Sequence, residues 1–350
     1  MLHACWAPYS LKFKETAITS RARMHTKDTY IIKVWDDECP DRVGWGECAL
    51  FKGLSAEDNP TFEKILSDTC RNIKDCGTYC LPEVSSVRFG FEMALADFHN
   101  GGRQLFFDTP WARGERSITI NGLIWMGDRE RMRQRIREKL DAGFRCVKLK
   151  IGGINFDEEV ELLRAIRRNF SSDEIEIRLD ANGSFAPEKA LKCLEILAGF
   201  DIHSIEQPVK AGQPEVMARI IRESPIPVAL DEELIGFSED NVKKELLSFT
   251  RPDYIILKPS LCGGFAEADK WISIAVDLGI GWWATSALES DLGLAAIGQW
   301  VDKYHPILPQ GLGTGLLYTN NITSPLYLDG QNLSTDSDKQ FNFPEFSWRD

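Results

Sequence analysis

Charged side chains end five successive apolar segments in the central part of the chain. The segments are Val147–Lys150, Ile175–Asp180, Ser204–Glu206, Val228–Asp231 and Ile255–Lys258. A charge attached to a buried strand is costly unless it is paired or coordinates an ion. One such charge could be incidental, but five in consecutive segments predict a site at which these side chains act together.

Each of these positions also has an ordinary structural interpretation when it is taken alone. Lys148 and Lys150 fit alternate surface lysines on an edge strand. Residues Asp180–Gly183 fit a turn closed by an aspartate side chain, and Asp231–Glu233 fits the acidic start of a helix. The joint pattern and its regular spacing favour the functional interpretation.

The three carboxylates indicate a divalent metal. Asp180, Glu206 and Asp231 would repel one another at a common site and raise one another's pKa. A hard cation relieves this repulsion, and ligation by oxygen alone points to Mg²⁺, with Mn²⁺ also open. No histidine stands at these segment ends, which argues against zinc. Lys150 and Lys258 flank the carboxylates, and a lysine close to a dication is a plausible general base.

This combination of groups predicts the removal of a proton beside a carboxylate. A metal bound to a substrate carboxylate stabilises the dianion that forms when the adjacent carbon loses its proton. A flanking lysine accepts that proton. The pattern leaves the next step open between elimination, racemisation and cycloisomerisation.

The spacing of the charges predicts the elements that must position them. From Lys150 to Ser286, the polar residues that end successive segments follow one another at intervals of 25 to 30 residues. Such an interval is one strand–helix unit, and a series of these units closes into a parallel barrel whose strand ends meet at one mouth. Candidate strands run from Ser117–Asn121 to a weaker eighth near Ile307–Gln310. The alternative is an open doubly wound sheet, but a glycine-rich phosphate-binding turn is missing.

The first part of the chain has a different pattern of strand-like and helical segments. A strand-like segment at Tyr30–Trp35 and the short stretch Trp45–Cys48 precede two helical patterns, at Ala56–Cys76 and Ser85–Asn100. A short sheet followed by helices is typical of an α+β domain.

Composition limits the partners and the cell compartment. The net charge of −12 argues against nucleic acid and anionic membranes. The nine cysteines are scattered, and Cys76 and Cys80 lack the downstream pair of a zinc site. The segment Met1–Ser10 does not resemble a signal peptide, and no apolar run reaches the length of a membrane span. We expect a cytoplasmic protein that acts on a small-molecule carboxylate, with its oligomeric state open.

With these motifs the chain resembles the enolase superfamily, in particular its muconate-lactonising-like branch. Members have a modified (β/α)7β barrel with an α+β capping domain. They carry Lys-x-Lys at the end of the second barrel strand, metal ligands at the ends of the next three and a lysine at the end of the sixth. The matching positions are Lys148–Lys150, Asp180, Glu206, Asp231 and Lys258. The resemblance implies a capping domain over residues 1–112, with a C-terminal return of 316–350, and a catalytic barrel over 113–315.

Further stretches resemble more narrowly the o-succinylbenzoate synthase family. They are Ile120–Gly127, Trp283–Leu294 and Gln310–Gly315, while Thr19–Met24 resembles the flexible loop that closes over the substrate. This resemblance implies the dehydration of 2-succinyl-6-hydroxy-2,4-cyclohexadiene-1-carboxylate to o-succinylbenzoate in menaquinone biosynthesis.

The resemblance also implies a role for each matched residue. Lys150 would remove the proton and then help hydroxide leave, while Lys258 would stabilise the negative charge from the opposite face. Asp180, Glu206 and Asp231 would hold the metal. The residues expected to support this group or the substrate are Lys148, Arg178, Asn182, Glu232 and Ser286.

Two alternatives stay open at this point. An N-acylamino acid racemase or a cycloisomerase of the same superfamily shares most of these motifs, but racemisation uses both lysines as bases. The other alternative is a metal-binding barrel without catalytic activity. The five intact charges argue against it, because a site that has lost its function has no need of costly buried charges.

Overall fold

A computed structural model of the chain describes residues 1–18, 23–76, 81–125, 129–153 and 155–350. Most of the predicted closing loop at Thr19–Met24 therefore lies outside the described residues, as does the end of the stretch Ile120–Gly127. Within the described ranges, no helix has the length and apolar character that crossing a membrane requires.

The first part of the chain is an antiparallel sheet followed by two helices. The strands are β1 (Leu2–Ile18), β2 (Arg23–Asp36) and β3 (Cys39–Cys48), and the helices are α1 (Phe62–Cys76) and α2 (Ser85–His99). The predicted α+β character of this region is therefore confirmed. Helix α1 begins later than the predicted Ala56, because a residue before proline disfavours the helical conformation and Pro60 follows Asn59.

Two short strands, β4 (Ile118–Thr119) and β5 (Gly122–Ile124), begin the second part of the chain. Strands and helices then alternate. The strands are β6 (Cys146–Lys150), β7 (Glu176–Asp180), β8 (Ile202–Glu206), β9 (Val228–Leu230), β10 (Tyr254–Leu257) and β11 (Gly281–Ala284). The helices are α3 (Arg129–Asp141), α4 (Phe156–Arg167), α5 (Ala190–Ala198), α6 (Pro214–Glu223), α7 (Asp240–Thr250), α8 (Gly264–Asp277) and α9 (Asp291–Asp302).

Strands β5 to β11 form one parallel sheet in chain order, which confirms the predicted barrel class. Single parallel bridges at Gln310 and Gly311 connect the two edges of this curled sheet, to Ile120 and Thr285 respectively. The predicted eighth strand at Ile307–Gln310 is therefore reduced to these bridges. Apolar side chains from the strands and the surrounding helices fill one continuous core.

The predicted first barrel strand, Ser117–Asn121, is confirmed only in part. Ile120 forms the parallel bridge to Gln310, and the Asn121 amide donates a hydrogen bond to the Gln310 carbonyl. Strand β4 itself pairs with a C-terminal strand, and β5 is the strand that pairs with β6. The C-terminal strands are β12 (Leu326–Asp329) and β13 (Asn332–Thr335), which form an antiparallel sheet with β4. Near the end of the chain, Arg349 pairs with Trp6 of β1. The C-terminal residues thus contact both parts of the protein, and the predicted domain limits remain a prediction.

Two glutamates, one buried and one half-buried, attach the N-terminal sheet and helices to the barrel. At the end of β3, Glu47 accepts hydrogen bonds from the backbone amides of Ser290 and Gly293, at the start of α9. In α2, Glu92 accepts a hydrogen bond of 2.6 Å from the amide of Phe265, at the start of α8. Helix N-termini have unpaired N–H groups and partial positive charge, so a carboxylate stabilises them.

Helix α2 lies against β3 at a distance that only glycine permits. A Cβ atom on Gly46 would meet the carbonyl oxygen of Gly90 at 1.9 Å, and one on Gly44 would meet that of Ala94 at 2.0 Å. Both distances are far below van der Waals contact. The glycines of β3 therefore determine how closely the helix packs on the sheet, and through Glu47 and Glu92 how both sit on the barrel.

We expect Gly46→Ala to destabilise the protein, because its methyl group would push α2 away from β3. Overpacking of this kind costs about 1–3 kcal/mol, and more where backbone must move. Thermal and urea unfolding would measure the loss. Gly199→Ala is a matched control, since a Cβ atom there meets only one oxygen, at 3.5 Å, and φ is −67°. Equal stability of the Gly46→Ala variant and the wild type would contradict this account of the interface.

Candidate active site

The charged side chains identified in the sequence meet at one end of the barrel. Parallel pairing aligns Lys150 with Asp180 and Asp180 with Glu206, and each of these three residues ends its strand. Asp231 and Lys258 directly follow β9 and β10. Because the strands are parallel and adjacent, all five side chains converge on the same mouth.

Lysine ammonium groups hold the three carboxylates. Lys148 Nζ lies 3.0 Å from Asp180 and 2.5 Å from Glu206, and Lys150 Nζ lies 2.8 Å from Asp180. Lys258 forms an ion pair with Asp231. The three carboxylates and Lys148 are each at most 4% exposed. The mouth is therefore a buried network of alternating charge.

The balance of burial and charge differs from one carboxyl group to the next. Burial alone would raise the pKa of Asp180, but the surrounding lysines, Lys148 first, outweigh it and hold that pKa below its ordinary value. For Asp231, Lys258 likewise outweighs burial and lowers the pKa. Burial and the charge of Asp180 raise the pKa of Glu206 well above its usual range. Of the three carboxyl groups, Glu206 is therefore the one whose negative charge the neighbouring lysines balance least.

The donor set fits a hard divalent cation. Oxygen Oε1 of Glu206 is buried and has no hydrogen-bond partner among the described residues, and the Glu206 carboxyl lies within hydrogen-bonding reach of Asp231. As the side chains stand, no three acidic, histidine or cysteine groups of the described part form a metal-binding cluster, and lysines contact the carboxylates instead. The unpaired oxygen of Glu206 lies beside the carboxylates of Asp180 and Asp231, and a cation bound there would be coordinated by all three groups.

The loops that leave the strands have the backbone conformations that keep these side chains in place. Asn182 and Gln207, each two or fewer residues beyond a strand-end carboxylate, have φ values of +45° and +41°. The Gln207 side chain accepts hydrogen bonds from the amides of Asp231 and Glu233 and donates to the Glu233 carboxylate. It therefore ties the end of β8 to the end of β9.

Two of the predicted supporting residues form a chain that leads to Lys150. Asn182 Oδ1 accepts a hydrogen bond of 2.7 Å from Lys150 Nζ, and Asn182 Nδ2 donates one of 3.0 Å to Glu232. Both residues line the same cavity as Lys150. Together with Asp180, Asn182 fixes the direction of the Lys150 ammonium group.

The other supporting residues lie in different places. Ser286 lines the cavity, donates a hydrogen bond of 2.6 Å to Glu289 and accepts one of 2.8 Å from Thr314. Arg178 is 1% exposed, is not among the residues that line the cavity, and stacks on Trp283 with its guanidinium carbon 4.2 Å from the ring centre. Arg178 therefore supports the barrel interior beneath the charged mouth.

A cavity of about 940 Å³ opens above the charged residues. Its floor is the barrel mouth, and its walls include residues of β2 and of the loop at positions 50–54. Arg23 and Met24, the described end of the predicted closing loop, are among them. The space is large enough for a small organic substrate and lies partly under the N-terminal part of the chain.

Several polar residues around this cavity were not predicted as site residues from the sequence. Lys27 on β2 lines it, Glu289 accepts hydrogen bonds from the Ser260 and Ser286 hydroxyls, and Gln207 ties two strand ends together. Gln207 directly follows a candidate metal ligand, and Glu289 lies in a stretch that the family resemblance already picked out. Lys27 had a weaker signal, because it lies three residues beyond the predicted closing loop at Thr19–Met24 and belongs to no motif itself.

Comparisons with known proteins are consistent with this geometry. Residues 131–304 match the family described as enolase C-terminal domain-like. The o-succinylbenzoate synthase of Desulfotalea psychrophila is 43% identical over 91% of this chain and 95% of that protein. The o-succinylbenzoate synthase of Klebsiella pneumoniae is 25% identical over 87% of this chain and 88% of its own.

Solved structures show the same relationship. The crystal structure of MenC from Desulfotalea psychrophila superposes with a TM-score of 0.85 at 40% identity, over 95% of this chain and 99% of that one. The L-Ala-D/L-Glu epimerase of Bacillus subtilis superposes with a TM-score of 0.79 over 96% of this chain and 95% of its own. Its identity is only 19%, so this second likeness concerns the fold alone.

We expect Lys148→Met to destabilise the protein strongly in the presence of EDTA. Asp180 and Glu206 would lose the ammonium group between them, and removing one partner of a buried ion pair costs about 3–5 kcal/mol. Urea unfolding would measure the loss. Lys210→Met, at an exposed position, is the control and should change stability by about 0.5 kcal/mol or less. A Lys148→Met variant as stable as the wild type would show that the carboxylates do not depend on this lysine.

Proposed function

The chain belongs to the o-succinylbenzoate synthase family of the enolase superfamily, and from this premise we propose how its site works. The reaction is the dehydration of 2-succinyl-6-hydroxy-2,4-cyclohexadiene-1-carboxylate to o-succinylbenzoate, which places the enzyme in menaquinone biosynthesis. The observation that carries the proposal is the group of lysines and carboxylates at the barrel mouth, beneath a cavity that can hold one substrate molecule.

Lys150 is the proposed acid–base group. Lys150 lines the cavity, and hydrogen bonds to Asp180 and Asn182 orient its Nζ atom. As an amine it takes the proton from the ring carbon that bears the carboxylate. As an ammonium group it then returns a proton to the hydroxyl on the neighbouring carbon, the C–O bond breaks, and water leaves as the ring becomes aromatic. Positioned proton transfer of this kind contributes about 10²–10⁴-fold to a rate.

Lys258 is the proposed electrostatic partner. It follows β10, which three strands separate from the strand that ends in Lys150. Its ammonium group is paired with Asp231 and lines the cavity. From this side it stabilises the negative charge that builds up on the substrate carboxylate while Lys150 acts from the other side.

Asp180, Glu206 and Asp231 are the proposed ligands of a divalent metal, which we take to be Mg²⁺. Such enzymes of the superfamily use a divalent cation, and an all-oxygen donor set suits Mg²⁺ or Mn²⁺. When bound, the cation would supply positive charge that favours loss of the proton beside a substrate carboxylate. In its presence the carboxylates hold the cation, and Lys148 balances the charge that remains on Asp180 and Glu206.

We also propose a cytoplasmic location and a small-molecule carboxylate as the partner. The seven cysteines whose side chains the structure describes are free thiols, as expected in a reducing compartment. The lining of the cavity includes six lysine and arginine side chains beside five aspartates and glutamates, so the site is less acidic than the protein as a whole and can accept an anionic substrate.

The first test is aromatisation of the cyclohexadiene substrate, followed by ultraviolet absorbance in the presence of Mg²⁺. We expect rapid turnover by the wild type and a fall of about 10²–10⁴-fold in kcat for Lys150→Ala, because the acid–base group is lost. EDTA should abolish turnover, and Mg²⁺ should restore it. Lys192→Ala, at an exposed position on α5, is the control for a lysine that lies away from the site.

The same assay separates the proposed reaction from its alternatives. No turnover by the folded wild type with Mg²⁺ would refute the synthase proposal. Hydrogen–deuterium exchange at the α-carbon of an N-succinylamino acid would then favour a racemase. Absence of exchange with every carboxylate tried would favour a barrel without catalytic activity.

We expect Mg²⁺ to raise the stability of the wild type. A ligand at 100 times its Kd adds about 2.7 kcal/mol when it binds only the folded state. Asp231→Asn and Glu206→Gln should lose most of this gain, because each removes a ligand charge. Thermal unfolding across a Mg²⁺ titration measures the effect, with exposed Asp329→Asn as the control. If Mg²⁺ raised the stability of the wild type and all three variants equally, the cation would bind somewhere else.

A further inference from the structure

The cavity has a second cationic group far along the chain from the barrel mouth. Lys27 lies on β2 and lines the cavity, although it is only 4% exposed. Its Nζ atom donates hydrogen bonds to two backbone carbonyls, those of Leu50 at 2.8 Å and Asp28 at 3.1 Å. An ammonium group has three N–H donors, and besides these two carbonyls the Nζ atom contacts only an aromatic face, with the centre of the Phe51 ring 5.8 Å away. One N–H group is therefore left without a hydrogen-bond acceptor among the described residues.

Lys27 differs from the other lysines of the cavity in its electrostatic surroundings. Lys148, Lys150 and Lys258 each have a carboxylate within 4.0 Å, whereas no described carboxylate lies within that distance of Lys27. Lys52 also lines the cavity but is exposed to solvent. Among the described cavity residues, Lys27 is thus the buried lysine without an ion pair.

Two buried glutamates lie in the same region, but their oxygens are used elsewhere. Glu47 accepts hydrogen bonds from Thr29, Ser290 and Gly293, and Glu289 accepts them from Ser260, Ser286 and Ala287. Their charges act on Lys27 from beyond salt-bridge distance. Burial lowers the pKa of Lys27, and the charges of Glu47, Glu289 and Asp28 only partly offset this. A buried ammonium group that is incompletely balanced favours an anion next to it.

We propose that Lys27 binds the terminal carboxylate of the succinyl chain of the substrate. This assignment rests on the proposed function, in which the substrate carries two carboxylates. The ring carboxylate belongs at the barrel mouth, with the candidate metal ligands. The succinyl carboxylate then extends towards the wall formed by β2, where Lys27 offers its third N–H group in a place protected from solvent, and a charge-assisted hydrogen bond there discriminates strongly against a ligand without the carboxylate.

The assignment gives the N-terminal sheet a part in substrate selection. The same Lys27 ammonium group holds the Leu50 carbonyl, so it connects the wall at β2 with the loop at positions 50–54 that also lines the cavity. A succinyl carboxylate bound to Lys27 would therefore lie against both segments. Lys27 acts as a specificity-determining residue, and proton transfer remains with Lys150.

The test is a comparison of two ligands in the presence of Mg²⁺, measured by isothermal titration calorimetry. One is o-succinylbenzoate, and the other is 2-butanoylbenzoate, which has a methyl group in place of the terminal carboxylate. We expect Lys27→Met to weaken binding of o-succinylbenzoate by about 10- to 100-fold and to leave binding of 2-butanoylbenzoate unchanged. Lys27→Arg should retain part of the affinity, because it keeps the charge.

The control is Lys33→Met, which removes the same side chain six residues further along β2, about 20 Å away. It should bind both ligands as the wild type does. Equal weakening of both ligands by Lys27→Met would overturn the proposal and give Lys27 a purely structural role at the 50–54 loop. Unchanged binding of o-succinylbenzoate would overturn it as well. If Lys27→Met does not fold, Lys27→Gln removes the charge while it keeps a donor for the Leu50 carbonyl.

A third ligand separates this proposal from the proposed function. 4-Oxo-4-phenylbutanoate keeps the succinyl chain but lacks the ring carboxylate. If the wild type binds it in a manner that depends on Lys27 but does not aromatise the cyclohexadiene, the synthase proposal fails and the assignment of Lys27 stands. If the wild type binds ligands with and without the terminal carboxylate equally tightly, the assignment of Lys27 fails, whether or not the protein aromatises the cyclohexadiene.

Discussion

Negative charge at the barrel mouth is the constraint on which the rest of the structure depends. Asp180, Glu206 and Asp231 are all buried and lie at adjacent strand ends, so each disfavours ionisation of the next. Lys148 and its two neighbouring lysines offset this repulsion, but the orphaned oxygen of Glu206 shows that the compensation is incomplete. A network of this kind has little tolerance for displacement, because every carboxylate that loses a partner becomes an unpaired buried charge.

The surrounding structure limits such displacement. Parallel pairing sets the register of Lys150, Asp180 and Glu206, and the side chain of Gln207 ties the next strand end to them. Above the mouth, the N-terminal sheet is attached through Glu47 to the start of a barrel helix. The cavity therefore lies between two packed units, and its floor and its wall are held by separate sets of hydrogen bonds.

The sequence predicted the floor of this cavity better than its wall, for a physical reason. The period of 25 to 30 residues places Asp180, Glu206 and Asp231 on successive strands, and parallel strands bring their ends together whatever the loops do. The pairing of β4 was not predicted, because its partner, β13, lies more than 200 residues away in the chain. Lys27 was missed because its importance comes from burial and from the Leu50 carbonyl, which local sequence does not reveal.

The separation of the cavity into a floor at the barrel mouth and a wall from the N-terminal sheet also helps to explain how one barrel fold supports several reactions. The epimerase that superposes on this chain at low identity shares the fold, so the fold alone does not select the reaction or the substrate. A cation and a lysine beside a carboxylate labilise the neighbouring proton in any substrate that they can reach. What the substrate carries beyond that carboxylate must then be recognised elsewhere. In this chain the available place is the wall contributed by β2 and the 50–54 loop, because the remaining buried lysines are already paired with the carboxylates of the floor.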